Sequence, residues 1–282
     1  MDMVFEVSGL TAGYRHAVIS ELSFGADAGE LVCILGRNGQ GKTTIFRAIA
    51  GNARRFAGTV CVNGRDCFSV SLKHRASMIA FMPQRASFPP GLRVRDLLRM
   101  GRYPHGGWID IPRQQEDETI EFWARELGIT SMLDRDGAEL SAGQQQMVLL
   151  CRLMIQDTPV VLLDEPDGAL DWDNTHRMFQ ILRRTLAQKK KAGVVILHDP
   201  QMALRWCDRV LLLNEGRLIE ELTPASDHAE KIQSALNRLY PDLRVHPHPY
   251  TAGFLCDWDE GVSVDWQTTD GASGEERKSW FY

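Results

Sequence analysis

The chain has 282 residues, 44% of them hydrophobic and 24% charged, which is the balance of a globular protein with a full core. Its formal net charge of -5 argues against nucleic acid as the main partner, and no apolar run approaches the roughly 18 residues of a membrane span. The first residues alternate and carry acids instead of the lysines and apolar core of a signal peptide, so we expect a cytoplasmic protein.

The N-terminal stretch predicts a small antiparallel β layer. Residues 3–10 alternate between apolar and polar side chains, as do parts of 18–24. Tyr14 lies in the turn between them, where its ring could stack on a purine base or remain a half-buried surface side chain. The spacing alone favours the surface tyrosine.

A phosphate-binding loop follows the apolar run 31–35. Residues 36–44 read Gly-Arg-Asn-Gly-Gln-Gly-Lys-Thr-Thr and match the pattern G-x-x-x-x-G-K-[ST] at every fixed position. The three glycines Gly36, Gly39 and Gly41 let backbone N–H groups turn toward a triphosphate, and the next helix points its N-terminus at the anion.

The side chains at the end of this loop have distinct expected tasks. We expect Lys42 to reach the β- and γ-phosphates and Thr43 to place its hydroxyl on Mg²⁺. Thr44 lies one residue deeper in the helix, where its hydroxyl can reach the α-phosphate. The stretch therefore predicts a nucleoside triphosphate pocket.

The middle of the chain predicts two further strands and a helical insertion. Residues 58–64 indicate a strand that ends in an Asn-Gly turn, and 78–82 a strand closed by Pro83 and Gln84. Gln84 could face a ligand or be an ordinary loop glutamine. Helical spacing at 94–100 and 120–127, joined by a Gly-, Pro- and His-rich connection, predicts an inserted helical lobe.

A helix is predicted from Ser141 to about residue 155, because serine is a favoured N-cap and an apolar-periodic run follows it. The bare N–H groups of its first turn could face a second phosphate. Most such caps are only caps, and the residues leave both interpretations open.

Two strand ends carry candidate catalytic side chains. The apolar run 158–163 indicates a central parallel strand and ends in Asp164 and Glu165, where Asp164 could hold Mg²⁺ and Glu165 could orient the attacking water. His198 follows the buried-strand run 193–197 and could bond the γ-phosphate, although a lone strand-end histidine is more often structural.

The remaining patterns are a turn at 168–171, a helix at 174–188 and a hairpin over 210–221. His246 and His248 suggest a metal site, but two histidines without further ligands are more often surface residues. The six cysteines are scattered without close pairs and are expected to be buried, reduced thiols.

Taken together, these motifs resemble the nucleotide-binding subunit of the ATP-binding-cassette (ABC) transporter family. The resemblance covers about residues 3–222 and weakens toward 258. Its parts stand in family order: Tyr14, the phosphate loop, the Gln-loop at Gln84, the signature at 140–144, the carboxylates Asp164 and Glu165, the turn that ends in Asp171, and the switch histidine His198.

The resemblance implies an α/β fold, a P-loop NTPase core with an N-terminal antiparallel β layer and an inserted α-helical lobe. It implies an ABC ATPase domain at 1–222 with the lobe at about 86–157, a C-terminal helix and short strands at 223–260, and a tail at 261–282 that we expect to be disordered.

It also implies ATP as substrate and Mg²⁺ as cofactor, with hydrolysis to ADP and phosphate. The catalytic residues would be Lys42, Gln84, Glu165 and His198, and the metal would lie on Thr43, Gln84 and Asp164. The implied nucleotide contacts are Tyr14, Gly36, Asn38, Gly39, Gly41, Lys42, Thr43, Thr44, Ser141, Gly143, Gln144 and Asp171.

The resemblance implies partners as well. Two cassettes would close head to tail, so that Ser141 of one binds the γ-phosphate of ATP held by the other. The homodimer would drive two transmembrane permease subunits from the cytoplasmic face of the membrane, with an external substrate-binding protein acting indirectly. Ala142 departs from the glycine usual in the signature and could weaken closure slightly.

Residues 94–105 are similar to a segment of the ATPases that power uptake of iron chelates, haem and cobalamin. The basic cluster here, Arg93, Arg95, Arg99 and Arg102, could touch the permease or acidic lipid, or could be a solvated helix face. An alternative function is a soluble cassette that scaffolds a non-transport assembly such as iron-sulphur cluster biogenesis. An exporter half is disfavoured, because such cassettes are commonly fused to their membrane domain.

Overall fold

The computed structural model describes residues 3–105, 113–249, 251 and 253–258. The strands are β1 (Met3–Gly13), β2 (Ala17–Asp27), β3 (Leu31–Leu35), β4 (Arg54–Val62), β5 (Arg65–Asp66), β6 (Ile79–Met82), β7 (Val160–Asp164), β8 (Ala192–Leu197), β9 (Arg209–Asn214), β10 (Arg217–Leu222), β11 (Leu243–Pro247) and β12 (Phe254–Trp258). The α-helices are α1 (Lys42–Ala50), α2 (Leu72–Met78), α3 (Val94–Arg99), α4 (Arg113–Glu126), α5 (Ala142–Gln156), α6 (Trp172–Lys189), α7 (Pro200–Trp206) and α8 (Ala229–Asn237).

The central sheet has the strand order β10-β9-β3-β8-β7-β6, in which β10 alone is antiparallel to its neighbour. Every residue of β3, β7 and β8 is buried. Continuous apolar runs are what a parallel sheet covered on both faces requires, so the strands predicted from these runs are confirmed.

The predicted N-terminal β layer is a separate antiparallel sheet of order β2-β1-β4-β5. Its inner face, with Phe5 and Ile19 fully buried, packs with α1 and one side of the central sheet in a common core. Asn63 and Gly64 both have positive φ and join Val62 to Arg65, which confirms the Asn-Gly turn. The mixed α/β fold expected from the motifs is confirmed.

The helices α3, α4 and α5 pack around a second core on the other side of the sheet, with Leu98, Ile120 and Leu150 fully buried. α4 begins at Arg113, seven residues before the apolar pattern that predicted it. Its first two turns are mostly polar and therefore carry no apolar period. The three-residue 3₁₀ turns Thr130–Met132 and Gly137–Glu139 lead into α5.

Three arginines of the basic cluster, Arg95, Arg99 and Arg102, have partners within the chain. Arg95 lies 2.7 Å from Glu121, and Arg99 lies 2.8 Å from Asp117, both carboxylates on α4. Arg102 donates to the carbonyl oxygen of Ile155 at 3.2 Å. These three arginines tie α3 and its continuation to α4 and α5, while Arg93 is exposed. A contact of the cluster with a permease or with acidic lipid stays a prediction.

The C-terminal part consists of α8 and the antiparallel hairpin β11–β12. His246 Nε2 lies 3.3 Å from Asp257 Oδ2 across the hairpin. The predicted hairpin over 210–221 is β9–β10, with Glu215 and Gly216 in the left-handed turn. The expected tail at 261–282 lies outside the described residues. All six cysteines are free, and Cys33, Cys67, Cys151 and Cys207 are buried.

Candidate functional site

The candidate site lies at the carboxyl edge of the central sheet. The phosphate loop follows β3, Gln84 comes two residues after β6, Glu165 follows β7 and His198 follows β8. Because β6, β7, β8 and β3 run parallel and adjacent, their carboxyl ends meet at one edge. Such an edge is where open α/β sheets bind ligands.

The phosphate loop depends on its glycines. Gly39 and Gly41 have φ of 80° and 93°, a region that side chains with a Cβ rarely adopt. A Cβ on Gly36 would lie 2.5 Å from the carbonyl oxygen of Leu213. The loop therefore keeps its backbone N–H groups close to the space that a triphosphate would fill.

Lys42 is nearly buried, at 5% exposure. Its Nζ donates to the carbonyl oxygens of Gly36 at 2.6 Å and Arg37 at 3.0 Å, so the ammonium group lies under the loop. Burial lowers the pKa of Lys42, against the opposing charges of Glu165 and Asp164. Asn38 is exposed at the tip of the loop, and Thr44 is buried in the first turn of α1.

Thr43 and Asp164 form a pair of oxygen donors. The hydroxyl of Thr43 donates to Asp164 Oδ1 at 3.2 Å, and Asp164 is 1% exposed. Burial raises the pKa of Asp164, and the hydrogen bond from Thr43 works against that rise. A buried carboxylate beside a hydroxyl is a donor set that suits a hard divalent cation such as Mg²⁺.

Glu165 lies between two of the predicted site residues. Its Oε2 accepts a hydrogen bond from Gln84 Nε2, and its Oε1 contacts His198 Nε2. The Glu165 backbone has a positive φ of 49°, and its N–H donates to the carbonyl oxygen of Ile196 at 3.1 Å. Both carboxylate oxygens therefore have polar partners at the sheet edge.

The signature residues begin α5. Ser141 and Gln144 form a reciprocal capping box, in which Ser141 Oγ accepts from Gln144 N at 3.3 Å. A Cβ on Gly143 would lie 2.8 Å from the carbonyl oxygen of Ala169, so glycine is needed where α5 meets the turn after Glu165. Ala142 lines a pocket of about 440 Å³ that Gln84 and Glu165 also line.

Asp171 and Tyr14 each contact a helix of the same chain. Asp171 caps α6 by accepting from Asn174 N at 2.8 Å. Tyr14 is 48% exposed, and its hydroxyl accepts a hydrogen bond from Arg47 on α1 at 3.1 Å. The ring is thus accessible for stacking, and its role at adenine stays a prediction.

Two contacts of the phosphate loop region escaped sequence reasoning. Gln40 accepts a hydrogen bond from the backbone N–H of Glu215, which ties the loop to the turn between β9 and β10. Arg47 anchors Tyr14 as described. No motif position marks either residue, because both contacts join segments far apart in the chain.

Comparisons with known proteins agree with this arrangement. A family model described as ABC transporter matches residues 19–168. The chain is 30% identical over 248 residues to the achromobactin transport ATP-binding protein of Dickeya dadantii, covering 88% of this chain and 91% of that protein. It is 33% identical over 240 residues to the hemin import ATP-binding protein of Pseudomonas entomophila, covering 82% and 90%.

A solved structure shows the same fold. It is a dimeric ATP-binding cassette in a post-hydrolysis state bound to ADP and Pi, and it superposes with a TM-score of 0.72 at 22% identity. The superposition covers 79% of this chain and 100% of that one. From the family match and the near full-length relatives, this chain belongs to the ABC transporter family of ATP-binding proteins.

Proposed function

We propose that this chain is the ATP-hydrolysing subunit of an importer that takes up a metal chelate, such as an iron-siderophore, haem or cobalamin. The observation that carries the proposal is the near full-length similarity to transport and import ATP-binding proteins, one of them for hemin. The placement of Lys42, Glu165 and His198 at one sheet edge supports it. The comparisons do not favour the alternative of a soluble scaffold for iron-sulphur biogenesis.

In this proposal the phosphoryl group of ATP passes in line to water. Lys42 moves from its carbonyl partners to the β- and γ-phosphates, where its charge offsets the charge that develops in the transition state. Glu165 accepts the proton of the attacking water, and His198, already against the same carboxylate, bonds the γ-phosphate.

The residues present fit a magnesium ion. Thr43 Oγ1 and Asp164 Oδ1 would hold it, and the carbonyl oxygen of the Gln84 side chain remains available because Nε2 makes the bond to Glu165. When bound, the ion would supply positive charge that offsets the charge of the triphosphate.

The proposal includes a homodimer. Ser141 and Gln144 satisfy each other within one chain, and their helix start offers further N–H groups of the first turn to an anion. We assign that anion as the γ-phosphate held by a second copy. Closure of the two cassettes would move two permease subunits, to which an external binding protein delivers the substrate. The cassettes would lie on the cytoplasmic face of the membrane as peripheral subunits. Among the helices of the described residues, none is both long and apolar enough to cross a membrane.

Transport of radiolabelled chelates tests this function in the source organism. Deletion of the gene should abolish uptake of one of ferric siderophore, haem or cobalamin. The wild-type gene should restore it, and a Lys42→Ala gene should not. A deletion strain that takes up all three at the wild-type rate would contradict the proposal.

A further inference from the structure

The C-terminal hairpin β11–β12 is held along both edges by glutamine side chains. On the β11 edge, Gln233 of α8 donates to the carbonyl oxygen of Leu243 at 2.6 Å and accepts from Val245 N at 2.7 Å. On the β12 edge, Gln201 of α7 donates to the carbonyl oxygen of Phe254 at 2.8 Å and accepts from Cys256 N at 2.6 Å.

The side-chain amide of each glutamine therefore takes the place that the backbone of a neighbouring strand would occupy. In both cases the amide bonds the carbonyl of residue i and the N–H of residue i+2, which is the pattern an added strand would make. A side-chain amide that makes two such bonds fixes the distance and the orientation between its helix and the strand. The hairpin is thus joined to α8 on one side and to α7 on the other.

Of the two edges, the one held by Gln201 is bonded to α7, the helix that follows His198. α7 begins at Pro200, directly after His198 and Asp199. Asp199 caps this helix by accepting from Gln201 N at 2.8 Å. The backbone of Gln201 is therefore bonded to the residue after the switch histidine, while its side chain is bonded to β12.

Aromatic packing reinforces the same junction. Tyr240, between α8 and β11, packs edge-on against Trp258 of β12 with ring centroids 6.1 Å apart. Tyr240 is largely enclosed by this packing, and burial raises its pKa to about 12. The C-terminal unit is thus packed together internally, and β12 also contacts α7, the helix that follows His198.

We propose that Gln201 is a positioning residue for His198: by clamping β12 to the first turn of α7, it fixes how the preceding segment presents the imidazole to Glu165. The inference rests on the proposed ATPase function. It assigns the C-terminal hairpin a part in hydrolysis that goes beyond adding stability.

Steady-state ATPase kinetics of the full chain test it, with Gln201→Ala as the variant and Gln233→Ala as the matched control on the opposite edge. Gln201→Ala should lower kcat about 3- to 10-fold with KM for ATP within about twofold, because the effect acts on chemistry. Gln233→Ala should leave kcat within about twofold of wild type, because it frees the hairpin only from α8.

A second experiment distinguishes an effect on the position of His198 from a general loss of stability. In a His198→Ala background, Gln201→Ala should cause no further loss of kcat, since its effect acts through the missing imidazole. An equal loss in that background, or equal losses from Gln201→Ala and Gln233→Ala, would overturn the inference. Gln201→Glu, which cannot donate to the Phe254 carbonyl, replaces the alanine variant if that one does not fold.

Hydrogen exchange without nucleotide gives a readout that does not depend on hydrolysis. Gln201→Ala should speed exchange of the amides at 203–206 at least threefold over wild type, and Gln233→Ala should not. Unchanged exchange in Gln201→Ala would overturn the inference even if the wild type hydrolyses ATP. A wild type without ATPase activity would instead contradict the proposed function.

Discussion

Glu165 contacts two other candidate site residues through its side chain and the neighbouring strand β8 through its backbone. Its backbone is held in a left-handed conformation by the bond to Ile196, and its two carboxylate oxygens contact Gln84 and His198. Backbone strain of this kind persists only where the surroundings fix it. The position of the carboxylate is thus set by three elements, which is what a group that orients water requires.

Replacing Glu165 with Gln keeps the shape of the side chain and removes its basicity. We expect steady-state ATPase activity to fall about 100- to 1000-fold, while ATP binding persists and bound ATP accumulates. Phosphate release and the nucleotide retained on a desalting column measure the two effects. Glu118→Gln, on the exposed side of α4, is the control and should hydrolyse ATP at the wild-type rate. Unchanged ATPase in Glu165→Gln would rule out the role assigned to this carboxylate.

At the scale of elements, α5 connects the signature to the rest of the chain through its two ends. Its first residues meet the turn after Glu165, and its C-cap is Asp157, in the left-handed region with φ of 52°. Asp157 Oδ1 lies 2.6 Å from Lys191 Nζ and 2.9 Å from Lys189 Nζ. The ion pairs thus join the end of α5 to the last residue of α6 and to the short segment before β8.

Burial of Asp157 tends to raise its pKa, but the hydrogen bonds from Lys191 and Lys189 outweigh burial and lower the pKa to about 2. Lys191 shows the opposite balance, since its burial outweighs the pull of Asp157 and lowers the lysine pKa. The two short lysine contacts hold the Asp157 carboxylate in its ionised form. A carboxyl whose folded pKa lies below its ordinary value stabilises the fold above that ordinary value.

Asp157→Asn removes the charge and keeps a residue that tolerates the left-handed conformation. We expect a loss of about 0.5–1 kcal/mol in the free energy of unfolding at pH 7, a modest value because the side chain is 44% exposed and solvent screens it. The difference should shrink as pH falls from about 4 toward 2, because the unfolded carboxyl takes up its proton near pH 4 and the folded Asp157 only near its pKa of about 2. Urea unfolding at pH 7, 4 and 3 measures it, and a difference independent of pH would contradict the ion-pair explanation.

Which elements the sequence predicts follows from where their apolar residues lie. β3, β7 and β8 are predictable because burial on both faces demands continuous apolar runs. α2 carries no such signal, since Met78 is its one buried residue. The candidate site residues follow one by one from motifs, strand ends and the family resemblance. That Gln84 and His198 both reach Glu165 depends on the strand order β8-β7-β6, which no local pattern encodes.

At the scale of the whole molecule, the described hydrogen bonds of Ser141 stay within the cap of α5, while Lys42 lies at the start of α1, under the phosphate loop. Under the proposed dimer these two groups act on the same phosphate from different chains. Each chain would then bind ATP alone but could not enclose it. Association should therefore require ATP and the signature of the partner together.

This dependence can be tested in the Glu165→Gln background, where ATP should hold two chains together. Adding Ser141→Arg should leave the protein monomeric with ATP, because the larger side chain blocks the helix start that faces the partner's γ-phosphate. Nucleotide binding to the monomer should persist, since the phosphate loop is intact. Light scattering after size exclusion measures the mass, and a fluorescent ATP analogue measures the binding.

The control is the same change at Ser226, an exposed turn residue outside the proposed interface, which should leave the ATP-dependent dimer intact. Loss of the Ser141 cap should itself cost only about 1 kcal/mol, so the chain should stay folded. Dimerisation with ATP despite Ser141→Arg would show that the chains associate through another surface. Loss of both dimer and ATP binding would show that the signature acts on the phosphate loop of its own chain, and the two-chain site would then be wrong.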